Sequence, residues 1–212
     1  MSPLIILGGG GHAKVLLSLL ARLRLEVIGL VDPHRPVGSE YLGVRVLGDD
    51  ACILGYAADR IELVNGIGSL PGDAGTRSAL YGVFQQQGYR FKTLVDPRAF
   101  VAGEVELADG AQIMAGAIIQ AGTKIASNSM VNSGAIVEHD CRIGCHVHIA
   151  PGAVLSGNVD IGDKVHIGTG ATLIQGIKVG AGSVIGAGSV VTRDIGAGQI
   201  VYPARSQVQN LI

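Results

Sequence analysis

Aliphatic residues recur with a period of six through the second half of the chain. Steps from Val101 land on Val101, Leu107, Ile113, Ile119, Ile125, Val131, Val137, Ile143 and Ile149. They continue on Leu155, Ile161, Ile167, Leu173, Val179, Ile185 and Val191, sixteen positions without a miss. With roughly 30% of the chain Val, Ile or Leu, chance agreement in one frame is on the order of 10⁻⁹ to 10⁻⁸. Four residues after each aliphatic the side chain is mostly small or β-branched, as at Ala111, Ala117, Thr123, Ser129, Ala135, Cys141, Val147 and Ala153. Glycine often follows the aliphatic directly, at Gly144, Gly162, Gly168, Gly180 and Gly186. Such a pattern predicts short strands of a parallel β-helix, aliphatics inward and glycines at the corners. Its open ends call for caps, expected from the N-terminal region and from residues 196–212.

Residues 1–96 follow a different pattern. Leu4–Leu7 reads as a buried strand, followed by Gly8-Gly9-Gly10-Gly11-His12. A helix is expected from Ala13 to Arg24, with Val15, Leu16, Leu19, Leu20 and Leu23 on its apolar face. Val27–Val31 predicts a second strand ending at Asp32-Pro33, and Ile61–Val64 a third ending at Asn65-Gly66-Ile67-Gly68-Ser69. Turn and helix are expected between Gly72 and Gly88. Strand, glycine loop, helix, strand is a small parallel α/β unit of Rossmann type. Asp96-Pro97 marks its end, since proline closes one element before the hexads begin. The expected organisation is a Rossmann-like domain over 1–96, a β-helix over 97–195 and a C-terminal cap over 196–212.

Composition sharpens this division. Seven of the eight aromatic residues lie in the first 100 positions, and none lies between Val101 and Val201. A narrow prism that admits only branched aliphatics and small residues accounts for that absence. The hexads resemble the left-handed β-helix of hexapeptide-repeat acyltransferases, in which three hexads close an 18-residue coil. Sixteen hexads then imply a little over five coils. Formal net charge is −1, which suggests neither nucleic acid nor an anionic membrane surface as partner. The longest opening aliphatic run, Leu4–Leu7, is too short for a signal-peptide core or a membrane span. Free thiols are expected of the three cysteines, and a soluble cytoplasmic protein of the chain.

Two segments carry candidate chemistry. Gly8-x-Gly10-x-x-Ala13, with Asp32 after the second strand, is a loose dinucleotide fingerprint. Glycines there let a backbone approach a pyrophosphate at a helix N-terminus. A nucleotide-diphosphate moiety without nicotinamide fits so short a domain. The alternatives are NAD, or a tight turn with no ligand. His12, at the helix start, could donate to a phosphate or substrate. Four histidines fall close together at His139, His146, His148 and His166. By coil arithmetic His148 and His166 stack on adjacent coils, and Gly157 stacks at the corner of His139. Glu138 and Asp140 flank His139, so a carboxylate is available to orient the ring and raise its basicity. A backbone N–H near Gly157 could receive a developing oxyanion. Cys141-x-x-x-Cys145-His146-x-His148 has the residue types of a zinc site, but Cys141 falls on a small inward position and the others point elsewhere, so no metal is expected. Nothing supports a cysteine nucleophile.

Gly-Gly-His after the first strand, Asp32 after the second, and Glu138-His139-Asp140-Cys141-x-Ile143-Gly144 together resemble nucleotide-sugar acetyltransferases of the sialic acid O-acetyltransferase type. Relatives of that family N-acetylate 4-amino sugars on UDP or GDP. The resemblance covers nearly the whole chain and implies a homotrimer, with acetyl-CoA along the groove between two prisms and the nucleotide sugar on the N-terminal domain. It implies His139 as general base, with Asp140 in the place of an acidic residue that increases its basicity. It places His148 at the thioester carbonyl or pantetheine, with Thr169 and Ala187 further along the CoA groove. Gly10, Gly11, His12, Asp32 and Gly68 would contact the nucleotide sugar. Gly10 stands where relatives often carry Ser, Pro33 where a second acid can occur, and Val201-Tyr202-Pro203-Ala204-Arg205 replaces the usual Val-Gly-x-Pro-Ala-Lys/Arg. The implied activity is acetyl-CoA-dependent N-acetylation of a UDP- or GDP-linked 4-amino-deoxy sugar in surface glycan synthesis. O-acetylation of sialic acid or a related sugar is the enzymatic alternative, and a hexapeptide-repeat scaffold the non-enzymatic one.

Overall fold

A computed structural model describes residues 2–69, 71 and 75–204. Its N-terminal unit is a six-stranded sheet of β1 (Leu4–Leu7), β2 (Val27–Val31), β3 (Glu40–Tyr41), β4 (Val44–Gly48), β5 (Glu62–Asn65) and β6 (Arg90–Phe91). The strand order is β3-β4-β2-β1-β5-β6, parallel except for the β3–β4 hairpin. α1 (Gly11–Arg22) and α2 (Thr76–Gln86) cross over between strands. β1 is buried along its whole length, as a central parallel strand covered on both faces must be.

α1 starts two residues before the expected Ala13, with Gly10 as its N-cap. Its buried stripe holds Ala13, Leu16, Leu17, Leu19 and Leu20. Val15, expected on that stripe, is 47% exposed. At 100° per residue it lies about 140° around the helix from Leu20, whereas Leu17 flanks the stripe's centre. The β3–β4 hairpin and a 3₁₀ turn over Asp50–Gly55 were not anticipated.

The second unit is a parallel β-helix of two-residue strands in three sheets of seven, six and five. Each of the sixteen periodic aliphatics is the second residue of a strand and points inward, forming one continuous core. Leu94–Val95 and Ile200–Val201 add a strand at either end of the seven-stranded sheet. Residues 205–212 of the expected cap lie outside the described residues.

Two glycine columns serve different purposes. Left-handed backbone recurs every six residues from Gly110 to Gly188, filled by glycine or, at Asn128, Asp140, His146, Asn158 and Lys164, by another residue. The glycines directly after the aliphatics are different: they admit the next coil. A Cβ on Gly144 would stand 2.8 Å from the Asp163 nitrogen, and one on Gly162 2.7 Å from that of Ala181. These glycines, expected to serve turning, are required by coil-to-coil approach instead.

The outward strand positions give each face its own character. On the six-stranded face they are Phe100, Ile118, Ile136, Val154, Thr172 and Val190, an in-register and almost wholly apolar column. On the five-stranded face they are Glu106, Lys124, Arg142, Asp160 and Lys178, a column of charges. The seven-stranded face carries the N-terminal unit. Leu94 and Met114 join the core beneath β1 and α1, and Tyr81 Oη donates to Asp109. Arg22 pairs with the buried Asp96 across the same junction. Among the described residues no helix is long and apolar enough to cross a membrane.

Candidate active site

The strand Ile136–Val137 ends in a corner that carries His139 and Asp140, with Cys141 turned into the core. Asp140 adopts left-handed backbone (φ 59°), which aspartate tolerates better than most residues. Its Oδ2 lies 2.9 Å from His139 Nδ1. A carboxylate can only accept, so Nδ1 carries a proton, and in the neutral ring Nε2 is the nitrogen with the lone pair. Gly122 on the coil before leaves room for the carboxylate, since a Cβ there would stand 2.5 Å from Asp140 Oδ1. Gly157 on the coil after does the same for the ring, where a Cβ would stand 2.5 Å from Nε2. The Asn158 N–H donates to the His139 carbonyl at 2.8 Å and fixes the two corners together. The two side chains remain 54% and 67% exposed. An oriented imidazole with a free nitrogen at an open edge is equipped to take a proton.

Because Gly157 does not use left-handed backbone, alanine fits its φ and only the added methyl matters. Gly157→Ala is expected to push the His139 ring aside and lower kcat by about 10²-fold, with the fold retained. Steady-state rates beside a melting curve check this.

The glycine loop builds a second locus. Gly8 turns the chain out of β1 (φ 80°), and no side chain caps α1, so its first N–H groups have no side-chain acceptor at the cap. Gly10 and Gly11 have open space where a Cβ would be. Asp32 supports the loop: its carboxylate accepts from Gly9 N at 2.8 Å and from His34 N at 2.9 Å. A cavity of about 270 Å³ lies against Gly8–Gly10, Asp32, Ile67 and Gly68. Asp50 also borders it, its carboxyl pushed up by burial and by the neighbouring Asp49 and Asp32.

A third group occupies the junction between the units. His148 and His166 pair across adjacent coils with ring centroids 4.7 Å apart. His148 Nδ1 meets the Ser69 carbonyl at 2.8 Å, and burial with His166 lowers its pKa to about 4. His146 is held by Asn128 at 2.9 Å, and Cys141 Sγ donates to Ser156 O, so the Cys-His segment does not converge on one point. Thr169 and Ala187 are exposed one above the other at the next corner, joined through the Gly188 N–H to Thr169 O bond of 2.8 Å. His12 reaches Gln112 of the β-helix at 2.7 Å rather than standing free as a phosphate donor. Sequence reasoning missed Asn65, Arg77, Gln112 and Asn128, which link into one buried network there. For Gln112 alone a signal was available in the outward column of the seven-stranded face, where 18-residue steps from it give Met130, His148 and His166.

Residues 3–81 match the family description "PglD N-terminal domain", and residues 140–175 and 158–193 match "Bacterial transferase hexapeptide (six repeats)". Among solved structures, the acetyltransferase domain of PglB from Neisseria gonorrhoeae is 33% identical with a TM-score of 0.86, over 94% of this chain and 96% of its own. PerB from Caulobacter crescentus, solved with CoA and GDP-perosamine, is 34% identical with a TM-score of 0.85, over 94% and 93%. The chain belongs to the hexapeptide-repeat acetyltransferases with a PglD-type N-terminal domain. WeeI from Acinetobacter baumannii is 25% identical to this acetyltransferase, with a TM-score of 0.84 over 94% and 96%. A comparison with curated proteins returns no match. Within the acetyltransferase chain, His12, Gly68 and His148 come together at the junction. His139, Asp140 and Gly157 lie at the corner between the apolar and charged faces, across the prism from it.

Proposed function

We propose that the protein transfers acetyl from acetyl-CoA to the amino group of a UDP- or GDP-linked 4-amino-deoxy sugar, in bacterial surface glycan synthesis in the cytoplasm. The observation that carries this reading is the His139–Asp140 pair, with its free Nε2 held against Gly157. Support for the donor and acceptor comes from the PglB acetyltransferase domain solved with acetyl coenzyme A and from PerB solved with CoA and GDP-perosamine.

In the reaction the amine nitrogen attacks the thioester carbonyl carbon while His139 Nε2 takes its proton. Asp140 stabilises the imidazolium that forms. The negative charge moves to the carbonyl oxygen, met by backbone N–H at Gly157. Collapse breaks the C–S bond and CoA leaves as thiolate, which takes the proton from the His139 imidazolium and restores the base. His148, Thr169 and Ala187 border the CoA, and Gly10, Gly11, His12, Asp32 and Gly68 hold the nucleotide sugar.

The assembly is a homotrimer. Phe100 and Val190, 55% and 68% exposed, end an apolar column that no part of the described chain covers, and a second prism is its natural partner. Such a neighbour is also required by the chemistry. One chain holds its glycine loop on the seven-stranded face and His139 at the opposite corner, so the acceptor reaches a neighbour's His139.

Thiol release from acetyl-CoA tests the function, comparing UDP- and GDP-linked 4-amino-4,6-dideoxy sugars with free sialic acid. Release with a nucleotide amino sugar alone is expected. Release with sialic acid alone would move the activity to O-acetylation, and silence with all three would overturn the reading.

A further inference from the structure

We infer that His12 is a hydrogen-bond acceptor for the bound sugar nucleotide, its ring held by Gln112 and Arg77 as the Nε2–H tautomer with the Nδ1 lone pair offered to a hydroxyl or N–H. The ligand named here rests on the function proposed above; the tautomer does not.

The argument runs through one carboxamide. Gln112 Nε2 donates to the Asn65 carbonyl at 3.0 Å, and Arg77 Nη2 donates to Gln112 Oε1 at 3.2 Å. Two neighbours therefore agree on which end of the amide is oxygen. That oxygen has no hydrogen to give, so His12 Nε2, 2.7 Å away, is the donor. Nδ1 is then unprotonated unless the ring carries a second proton.

Arg77 opposes that second proton. Its guanidinium is buried and donates to four uncharged acceptors: the carbonyls of Asn65, Ile67 and Asn128, and Gln112 Oε1. Burial lowers it to about 9, so it remains a cation at neutral pH. Burial of His12 and then the Arg77 charge bring the imidazole down to about 4, against the opposing hydrogen bond of Gln112 and with a lesser contribution from His148. The ring is therefore neutral around pH 7.

A neutral ring offering a lone pair is the wrong partner for a phosphate oxygen, which also offers lone pairs. It suits a group that brings its own hydrogen. His12 stands next to Gly68, whose added Cβ would lie 3.9 Å from His12 Cβ, and Gly68 itself borders the glycine-loop cavity. Phosphate is left to the open N–H groups of α1. His12 thus contributes selectivity for the donor groups of the acceptor, and Gln112 and Arg77 are positioning residues that act through it.

Two measurements on the full-length protein test this. Nitrogen-15 spectra of histidine-labelled protein without substrate are expected to show His12 neutral and protonated at Nε2 from pH 8 down to about 5.5. An imidazolium at pH 7, or a proton on Nδ1, would overturn the inference. The second measurement compares His12→Asn with His12→Gln. The Asn oxygen falls near the position of Nδ1, whereas Gln reaches Gln112 as Nε2 did. An acceptor role predicts KM for the nucleotide sugar within about threefold of wild type for Asn and about tenfold higher for Gln, with KM for acetyl-CoA unchanged in both. The reverse order would make His12 only a strut between the units. A wild-type protein that turned over no nucleotide sugar would overturn the ligand together with the function, and the spectra alone would then decide the tautomer.

Discussion

His139→Ala is expected to lower kcat by about 10² to 10⁴-fold, the range associated with losing a positioned general base, while the melting temperature barely moves. The two halves of that expectation have separate causes. The ring is half exposed and its corner is held by backbone bonds, Glu138 N to Leu155 O and Asp140 N to Ala121 O, so little packing is lost. Residual rate comes from substrate positioning, which the variant keeps. The proposed trimer has a sharper consequence. Asp32→Ala removes the carboxylate that anchors Gly9 and is expected to abolish acceptor binding on its own. Co-assembling it with His139→Ala chains pairs an intact His139 with a neighbour's intact glycine loop. Random mixing of equal amounts restores about a quarter of the sites in a cyclic trimer. No recovery, in mixed trimers verified by mass, would place base and acceptor on one chain and sink the arrangement.

The parts of the molecule legible in sequence are those that repeat. Each of the sixteen periodic aliphatics found its strand because a β-helix imposes the same local environment every six residues. The stacking of Gly157 on His139, and of His166 on His148, followed from the same arithmetic. What stayed hidden depends on convergence from distant segments. Asn65, Arg77, Gln112 and Asn128 each read as an ordinary polar residue, and only packing of the α/β unit on one face brings them together. His12 shows the consequence: its place at a helix start was legible, yet its tautomer is set by a residue 100 positions away. The β3–β4 hairpin was missed for another reason. β3 has only two residues, and only two residue pairs join it to β4 across Leu42-Gly43, too few to show alternation.

The buried histidines also make the protein acid-labile. His12 and His148 are brought to about 4, and His146 and His166 are lowered as well, all chiefly by burial. In the unfolded chain each returns to about 6.5. Between those values the unfolded state binds more protons than the native state, so stability is full above about pH 6.5 and falls as pH drops towards 4. At pH 5, His12 and His148 each forfeit about 2 kcal/mol, a large part of a typical margin of about 5–15 kcal/mol. For a chain of this size the sum corresponds to a melting temperature lower by about 8–16 °C at pH 5 than at pH 7.5. Carboxylates held low in the native state act mainly at lower pH, so the window is a histidine signature. His148→Gln removes one titrating group and is expected to flatten the pH dependence by about half while lowering stability at pH 7.5, where its ring packs on His166 and bonds Ser69. A melting temperature that stayed level from pH 7.5 to 5 would mean that the junction admits water enough to charge these rings. The neutral state of His12, on which its acceptor role depends, would then be lost as well.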